Sequence, residues 1–171
     1  LKPGKERALL RRHPWVYATG VSKVLGKPKS GETVRIQDSK GKFLAWGAFS
    51  PESALRARCW SFQEEDVINA AWIEARVKAA IEARSCLRSR TNAIRLIFGE
   101  ADFLPGLIVD QYNNQVVTQF QSAGAEYWRS EIGQALVKYT GCSQVYDRSD
   151  AATRAREGLP ERKEALEGEE P

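Results

Sequence analysis

The chain has 171 residues, of which 42% are hydrophobic and 28% charged, so it can fill one core or two small ones. No apolar run approaches the roughly 20 residues of a membrane-spanning helix, and no signal-peptide pattern begins the chain, which predicts a cytoplasmic protein. Three cysteines (Cys59, Cys86 and Cys142) lie far apart, so we predict neither a disulfide framework nor a C-x-x-C metal site. We expect all three to be buried.

The net charge of +4 is unevenly distributed along the chain. Residues 1–60 contain thirteen Lys/Arg against four Asp/Glu, whereas residues 61–171 contain thirteen against eighteen. A basic patch attracts polyanions because binding releases their condensed counterions. The N-terminal third is therefore predicted to bind nucleic acid.

The N-terminal third is predicted to be a short basic helix followed by a β-domain. The stretch "KERALLRRH" has helical spacing and ends at His13, because the residue before Pro14 is disfavoured in the α region. From residue 31, short runs of β-forming residues alternate with turn signals, which favours a small antiparallel sheet.

A helix over residues 64–84 is predicted to join this domain to a second one. After it, "AIRLIF", "LIVDQY" and "VVTQFQ" predict three strands, "AEYWRSEIGQALVKY" an amphipathic helix, and "SQVYDR" a fourth strand. We predict the α+β class, with domains at residues 1–66 and 67–171. The last fifteen residues contain no apolar pattern that predicts a further element, and both ends suggest a fragment.

Three carboxylates (Glu100, Asp102 and Asp110) lie within the stretch "GEADFLPGLIVDQYNN". Pro105-Gly106 fits the centre of a type II turn, and Asn113-Asn114 fits a hairpin turn. Asp110 is about 26 Å beyond Asp102 if the chain is extended, so we do not expect the carboxylates to converge on one ion.

Basic and aromatic residues are the candidate RNA contacts. Alternation along the strand "LRARCW" places Arg56, Arg58 and Trp60 on one face, a combination that can hold phosphates and stack a base. The alternative is a solvated arginine pair beside a core tryptophan. The full set of candidates is Arg11, Arg12, His13, Lys42, Arg56, Arg58, Trp60, Arg148, Arg154 and Arg156.

The sequence contains no recognisable catalytic motif. There is no G-x-S-x-G, the one histidine has no neighbouring cysteine, and neither phosphate-binding glycine motif is present. We therefore expect no catalytic residue, no metal and no bound cofactor in this chain.

Two pairs of stretches together resemble a known family. "LLRRHPWVYATGV" and "GETVRIQDSKGKFLAWGAFSPESALRARCWSF" resemble the N-terminal PUA domain of bacterial S-adenosyl-L-methionine-dependent large-subunit ribosomal-RNA cytosine-5 methyltransferases. "GEADFLPGLIVDQYNNQVVTQFQSAGAEYWR" and "VYDRSDAATRAREG" resemble the central domain of the same proteins.

The resemblance implies a PUA pseudobarrel, a central α/β domain and a C-terminal Rossmann methyltransferase domain that is absent here. It implies ribosomal RNA as the partner, S-adenosyl-L-methionine as the cofactor of the complete protein, and a homodimer. In the family, the cofactor site and the attacking cysteine belong to the absent domain. A free-standing RNA-binding adaptor, or a methyltransferase of the same architecture with another RNA target, are the alternatives.

Overall fold

A computed structural model describes residues 1–150 and 152–168. These ranges contain two β-sheets, and the α+β class is confirmed. The first sheet has the strand order β1-β4-β3-β2 and is fully antiparallel. Its strands are β1 (Trp15–Tyr17), β2 (Thr33–Gln37), β3 (Phe43–Phe49) and β4 (Leu55–Ser61), preceded by the short helix α1 (Arg7–Leu10).

The first sheet is not closed into the pseudobarrel that the family resemblance implies. Strands β1 and β2 form its two edges and do not pair, because β1 is only three residues long and residues 21–32 form no strand. A cavity of about 580 Å³ lies beside these edges, with Val16 and Ile36 among its lining residues.

The second sheet has five strands in the order β5-β6-β7-β8-β9. Only β7 and β8 are parallel, because the connection between them passes through helices. The strands are β5 (Ala93–Phe98), β6 (Leu107–Tyr112), β7 (Gln115–Phe120), β8 (Gln144–Ser149) and β9 (Arg162–Glu167). The helices are α2 (Ala70–Glu82), α3 (Ala123–Tyr127), α4 (Arg129–Thr140) and α5 (Thr153–Arg156). The four predicted strands are confirmed.

Helices α2 and α4 cover one face of the second sheet and supply its core. Buried Ile73, Val77, Ile132 and Leu136 pack in the same cluster as the inward-facing residues of the strands. At about 25 cal/mol per Å² of apolar surface, burial of each such side chain contributes about 1.5 to 3 kcal/mol. Ala48 and Trp60 of the first sheet belong to the same cluster, so the helices and the first sheet both pack on this core.

Two predicted helices differ from the observed ones. Helix α2 begins at Ala70 rather than residue 64, because the side chain of Asn69 accepts a hydrogen bond from Trp72 N (2.9 Å) and caps the helix there. The helix predicted over residues 125–139 is two helices separated at Trp128, whose backbone is not helical (φ −96°, ψ 19°).

Strand β9 was missed altogether. It pairs antiparallel with β8, although its sequence "RKEALE" has no apolar alternation. Ion pairs fix the polar side chains instead: Arg162 contacts Glu126 at 2.9 Å, and Glu164 contacts Arg129 at 2.6 Å. Leu166 packs against the core from the same strand.

The type II turn predicted at Pro105-Gly106 is confirmed. Leu107 N donates to Leu104 O at 3.1 Å, which closes the turn, and Gly106 has a φ of +75°. Asn113 and Asn114 join β6 to β7 as a two-residue hairpin loop, as expected.

The cysteines differ in exposure, and the expectation that all three are buried was wrong for Cys86. Cys59 and Cys142 are buried, whereas Cys86 lies exposed after α2. Burial raises the pKa of the Cys59 thiol to about 12, so this side chain stays neutral at any physiological pH.

We expect Cys86 alone to react rapidly with a thiol reagent such as DTNB in the native protein, because only exposed thiolates are nucleophilic. Full reaction of Cys59 and Cys142 should require denaturant. The variant C86S should abolish the rapid phase, and a second rapidly reacting thiol would contradict the burial described here.

Candidate nucleic-acid interface

The end of helix α1 presents two exposed arginines. The backbone of Arg12 is left-handed (φ 61°), and Arg12 N and His13 N donate to Leu9 O (2.8 Å) and Ala8 O (3.0 Å). This reversal ends the helix and projects the side chains of Arg11 and Arg12 into solvent. Within residues 1–150 and 152–168, neither arginine forms an ion pair. Both guanidiniums are therefore available to phosphates.

His13 has a structural position between these arginines and strand β1. Its Nδ1 accepts a hydrogen bond from Trp15 N (3.4 Å), and its ring meets the Trp15 ring edge-on with centroids 5.4 Å apart. The imidazole is exposed, but it has no carboxylate or nucleophile as a hydrogen-bond partner within the described ranges. Its contacts are therefore those of a surface residue packed against Trp15.

Arg58 belongs to the junction between the two sheets. Its guanidinium contacts Glu100 (3.3 Å) and Glu157 (3.2 Å), and its side chain is only 17% exposed. Trp15 Nε1 donates to the same Glu100 carboxylate at 2.8 Å. Because both carboxylates come from the second half of the chain, Arg58 fastens the sheets together rather than facing solvent.

Trp60 and Arg154 are corrections to the predicted RNA contacts, because both are buried. Trp60 is 2% exposed and packs against Gly124 and Ala48, so it cannot stack a base in this conformation. Arg154 is 0% exposed; its Nε donates to Pro160 O (2.7 Å), and its guanidinium contacts Glu126 (2.9 Å). We remove both residues from the proposed RNA surface.

The remaining candidates lie apart from the end of α1. Lys42 is exposed in the β2–β3 turn, at the opposite edge of the sheet from β1. Arg56 donates to Pro51 O and lies 6.0 Å from the centre of the Phe49 ring, in the wall of the 580 Å³ cavity. Arg148 is 65% exposed and 3.7 Å from Asp150, and Arg156 is exposed at the end of α5.

The β2–β3 turn that carries Lys42 is held by a single carboxylate. Asp38 accepts hydrogen bonds from the backbone N–H groups of Lys42 (3.0 Å) and Lys40 (2.8 Å). These hydrogen bonds lower the pKa of Asp38 below its ordinary value. The hydrogen bonds to the ionised carboxylate therefore stabilise the turn at pH values above that pKa.

Each carboxylate of the acidic stretch has its own arginine partner. Glu100 contacts Arg58 as described above, Asp102 forms a bidentate pair with Arg84 (2.7 and 2.9 Å), and Asp110 forms one with Arg95 (2.8 and 3.0 Å). Asp102 also accepts from Phe98 N at 2.6 Å. Among residues 1–150 and 152–168, no three potential metal ligands lie together. These acids act as structural hydrogen-bond acceptors, each with a different arginine.

Sequence reasoning missed one basic surface, formed by the loop after α2. Residues 83–99 contain four arginines and no acidic residue. Arg88 and Arg90 lie in this loop and line a cavity of about 610 Å³. The absence of acidic residues from this stretch could have predicted the basic surface. The net negative charge of residues 61–171 as a whole conceals it.

No helix in the described part of the chain is long and apolar enough to cross a bilayer.

Residues 1–62 match a family described as a PUA-like domain. This range contains α1 and the whole first sheet. The boundary predicted between residues 66 and 67 stays a prediction.

The chain is also similar to named proteins along nearly its whole length. It is 44% identical over 173 residues to ribosomal RNA large subunit methyltransferase I of Pseudoalteromonas translucida, and 46% identical over 175 residues to that of Photobacterium profundum. In both cases, the match covers 100% of this chain and 44% of the relative. The Klebsiella pneumoniae protein of the same name is 47% identical over 161 residues, which cover 93% of this chain and 40% of the relative.

Solved structures share the fold at much lower identity. A putative SAM-dependent methyltransferase from Streptococcus mutans superposes with a TM-score of 0.78 at 17% identity, over 100% of this chain and 43% of that one. A putative methyltransferase solved with SAH gives 0.75 at 16% identity, over 86% of this chain and 39% of that one. The chain is therefore similar to PUA-like domains over residues 1–62 and to ribosomal RNA large subunit methyltransferase I proteins over 93–100% of its length, and it spans about two fifths of the length of those relatives.

Proposed function

We propose that this chain is the RNA-recognition part of an S-adenosyl-L-methionine-dependent methyltransferase that forms 5-methylcytosine in large-subunit ribosomal RNA. The observation that carries the proposal is the pair of exposed guanidiniums, Arg11 and Arg12, at the end of α1 in the PUA-like domain. The names of the relatives and the basic N-terminal third support the same interpretation. The cytosine-5 specificity rests on the family resemblance alone.

The residues of this chain do not fit the methyl donor at the place where an α/β sheet would hold it. Such ligands bind at the carboxyl ends of parallel strands, beside a helix N-terminus. At the end of β7, Phe120 O accepts from buried Arg154, and Ala123 N at the start of α3 donates to buried Glu157 (3.3 Å). Protein side chains fill that position. We propose that the methyl donor and the catalytic groups are supplied outside the described residues.

In this proposal, the chain positions RNA and performs no bond-making step. Arg11 and Arg12 donate hydrogen bonds to RNA phosphates. His13, Lys42 and Arg56 provide further contacts from the same domain. Arg58 acts indirectly, because it fixes the angle between the two sheets. Arg148 and Arg156 extend the proposed RNA-binding surface onto the second sheet.

We also propose that the protein forms a homodimer, which sedimentation of this chain would test.

Replacing Arg11 and Arg12 by alanine tests the proposed contacts. In a binding titration of this chain against a large-subunit ribosomal RNA fragment at several salt concentrations, the magnitude of the negative slope of log K against log salt should decrease by about 0.7 to 0.9 for each lost phosphate contact. Affinity should decrease for every RNA sequence alike, since phosphate contacts carry no sequence information.

A matched control removes two exposed lysines, Lys78 and Lys138, from helices α2 and α4. The variant K78A/K138A should keep the wild-type slope. Wild-type binding that is weak, independent of salt, or no stronger for RNA than for duplex DNA would contradict the proposed function.

A further inference from the structure

The loop between α2 and β5 forms a second basic concavity, which we call the loop pocket. It has a volume of about 610 Å³, and its wall includes Arg88, Ser89, Arg90, Thr91, Gln111 and Asn113. The pocket lies where the start of β5 meets the β6–β7 hairpin. It is separate from the PUA-like domain, because residues 1–62 contribute nothing to its lining.

The two guanidiniums of the loop pocket have no charge partner. The other arginines of the stretch are paired, Arg84 with Asp102 and Arg95 with Asp110. Arg88 and Arg90 form no ion pair with any residue in the ranges 1–150 and 152–168. The strands and turns around them contribute neutral side chains, so the positive potential of the pocket is not cancelled locally.

The loop is held in shape by its own backbone. Arg88 N donates to Ser85 O (3.2 Å), and Arg90 N donates to Leu87 O (2.9 Å). Asn113 N donates to Asn92 O (2.7 Å), which ties the end of the loop to the hairpin. Both arginines line the one pocket from this loop, so an anion in the pocket can interact favourably with both charges.

The rest of the wall suits a phosphodiester rather than a carboxylate alone. The hydroxyls of Ser89 and Thr91 and the amide of Asn113 supply neutral hydrogen-bond groups beside the guanidiniums. The wall also includes Gln111, whose Nε2 donates to Asn113 O at 2.9 Å and whose buried Oε1 has no partner among the described residues; this oxygen can accept a hydrogen bond from a ribose 2′-OH but not from a phosphate. Arginine with hydroxyl and amide groups is the usual set of contacts to a nucleic-acid backbone.

We infer that the loop pocket is a second phosphate-binding site, which binds the backbone of the same RNA at a distance from the first site, Arg11 and Arg12. The inference rests on the proposed function. Strand β5 runs from the pocket to the sheet junction, where Glu100 contacts Trp15 and Arg58. Its six residues span about 20 Å at 3.3 Å each. At about 3.4 Å per stacked nucleotide, an RNA needs about six nucleotides to reach from the pocket to this junction.

The test compares the wild-type chain with R88A/R90A against RNA of 4 and 12 nucleotides. For the wild type, the magnitude of the log K against log salt slope should rise by about 1.4 to 1.8 between the short and the long RNA, as two more phosphates are contacted. The variant should show no such rise. If the variant and the wild type bind the long RNA equally at 1 M salt, this slope difference makes the affinity of the variant at 0.1 M salt roughly 25- to 60-fold weaker than that of the wild type.

Two further variants separate charge from structure. R88K/R90K keeps both charges and should retain most of the slope, whereas K78A/K138A removes two charges from the helices and should leave the slope unchanged. The urea midpoint of each variant reports whether it is folded. An unchanged slope in a folded R88A/R90A, or an equal loss in K78A/K138A, overturns the inference while leaving the proposed function intact. No salt-dependent binding by the wild type overturns both.

Discussion

Replacing Glu157 by alanine is expected to lower the free energy of unfolding by about 3 to 5 kcal/mol, because it leaves two buried donors without an acceptor and removes one of the two carboxylates that pair with Arg58. Glu157 is 3% exposed and contacts the Arg58 guanidinium at 3.2 Å. The same carboxylate accepts from Ser50 Oγ (2.6 Å) and Ala123 N (3.3 Å). In E157A, Ser50 Oγ and Ala123 N would lose their acceptor at once, and Arg58 would keep only Glu100 as a partner.

Urea denaturation of the 171-residue chain measures this loss. Glu157→Gln keeps the side-chain shape and its acceptor oxygen, so its effect should lie between those of wild type and E157A. Glu161→Ala is the matched control, since Glu161 is exposed and should change stability by less than about 0.5 kcal/mol. A loss below about 1 kcal/mol in E157A would mean that water replaces the carboxylate and that the junction is not a buried ionic cluster.

Replacing Gly106 by alanine is expected to cost about 2 to 5 kcal/mol, from left-handed backbone strain of about 1 to 2 kcal/mol and overpacking of about 1 to 3 kcal/mol. Gly106 has a φ of +75°, and a Cβ built there would lie 2.5 Å from both Cβ and Oγ of Ser122. Ser122 cannot give way cheaply. Its hydroxyl donates to Pro105 O (2.8 Å) and accepts from Ala125 N (3.2 Å) as the N-cap of α3.

Gly41→Ala isolates the backbone contribution, because Gly41 also has a positive φ (+84°) but no atom lies within 4 Å of the place that its Cβ would take. Its cost should be about 1 to 2 kcal/mol, the strain alone. The difference in urea midpoint between G106A and G41A then measures the clash with Ser122. Equal effects in the two variants would show that the α3 N-terminus shifts freely, against the close packing described here.

Local patterns in the sequence were sufficient for much of this fold. Alternation and turn residues identified the strands from β5 to β8, because side-chain period and turn chemistry depend only on neighbouring residues. The positive φ of Gly106 followed from the Pro-Gly pair for the same reason. The basic N-terminal third was likewise predictable from composition, and so was the choice of Arg11 and Arg12 as candidates.

Strand β9 lay beyond those patterns. Its side chains are charged, and it is stabilised by β8 and by ion pairs with Glu126 and Arg129, which precede it by about 35 residues. A polar segment of six residues does not by itself predict such pairing, because the stability of an edge strand depends more on the strands and side chains beside it than on its own sequence.

Exposure was decided by tertiary structure alone. The sequence by itself placed Arg58 and Trp60 on the same face of β4, opposite Cys59, and the core clusters agree with that alternation. It did not show that the second sheet covers this face. The groups that cover it are distant in the chain: Glu157 is 99 residues from Arg58 and 107 from Ser50. Periodicity reports which residues share a face, and only long-range packing determines whether water or another part of the chain meets it.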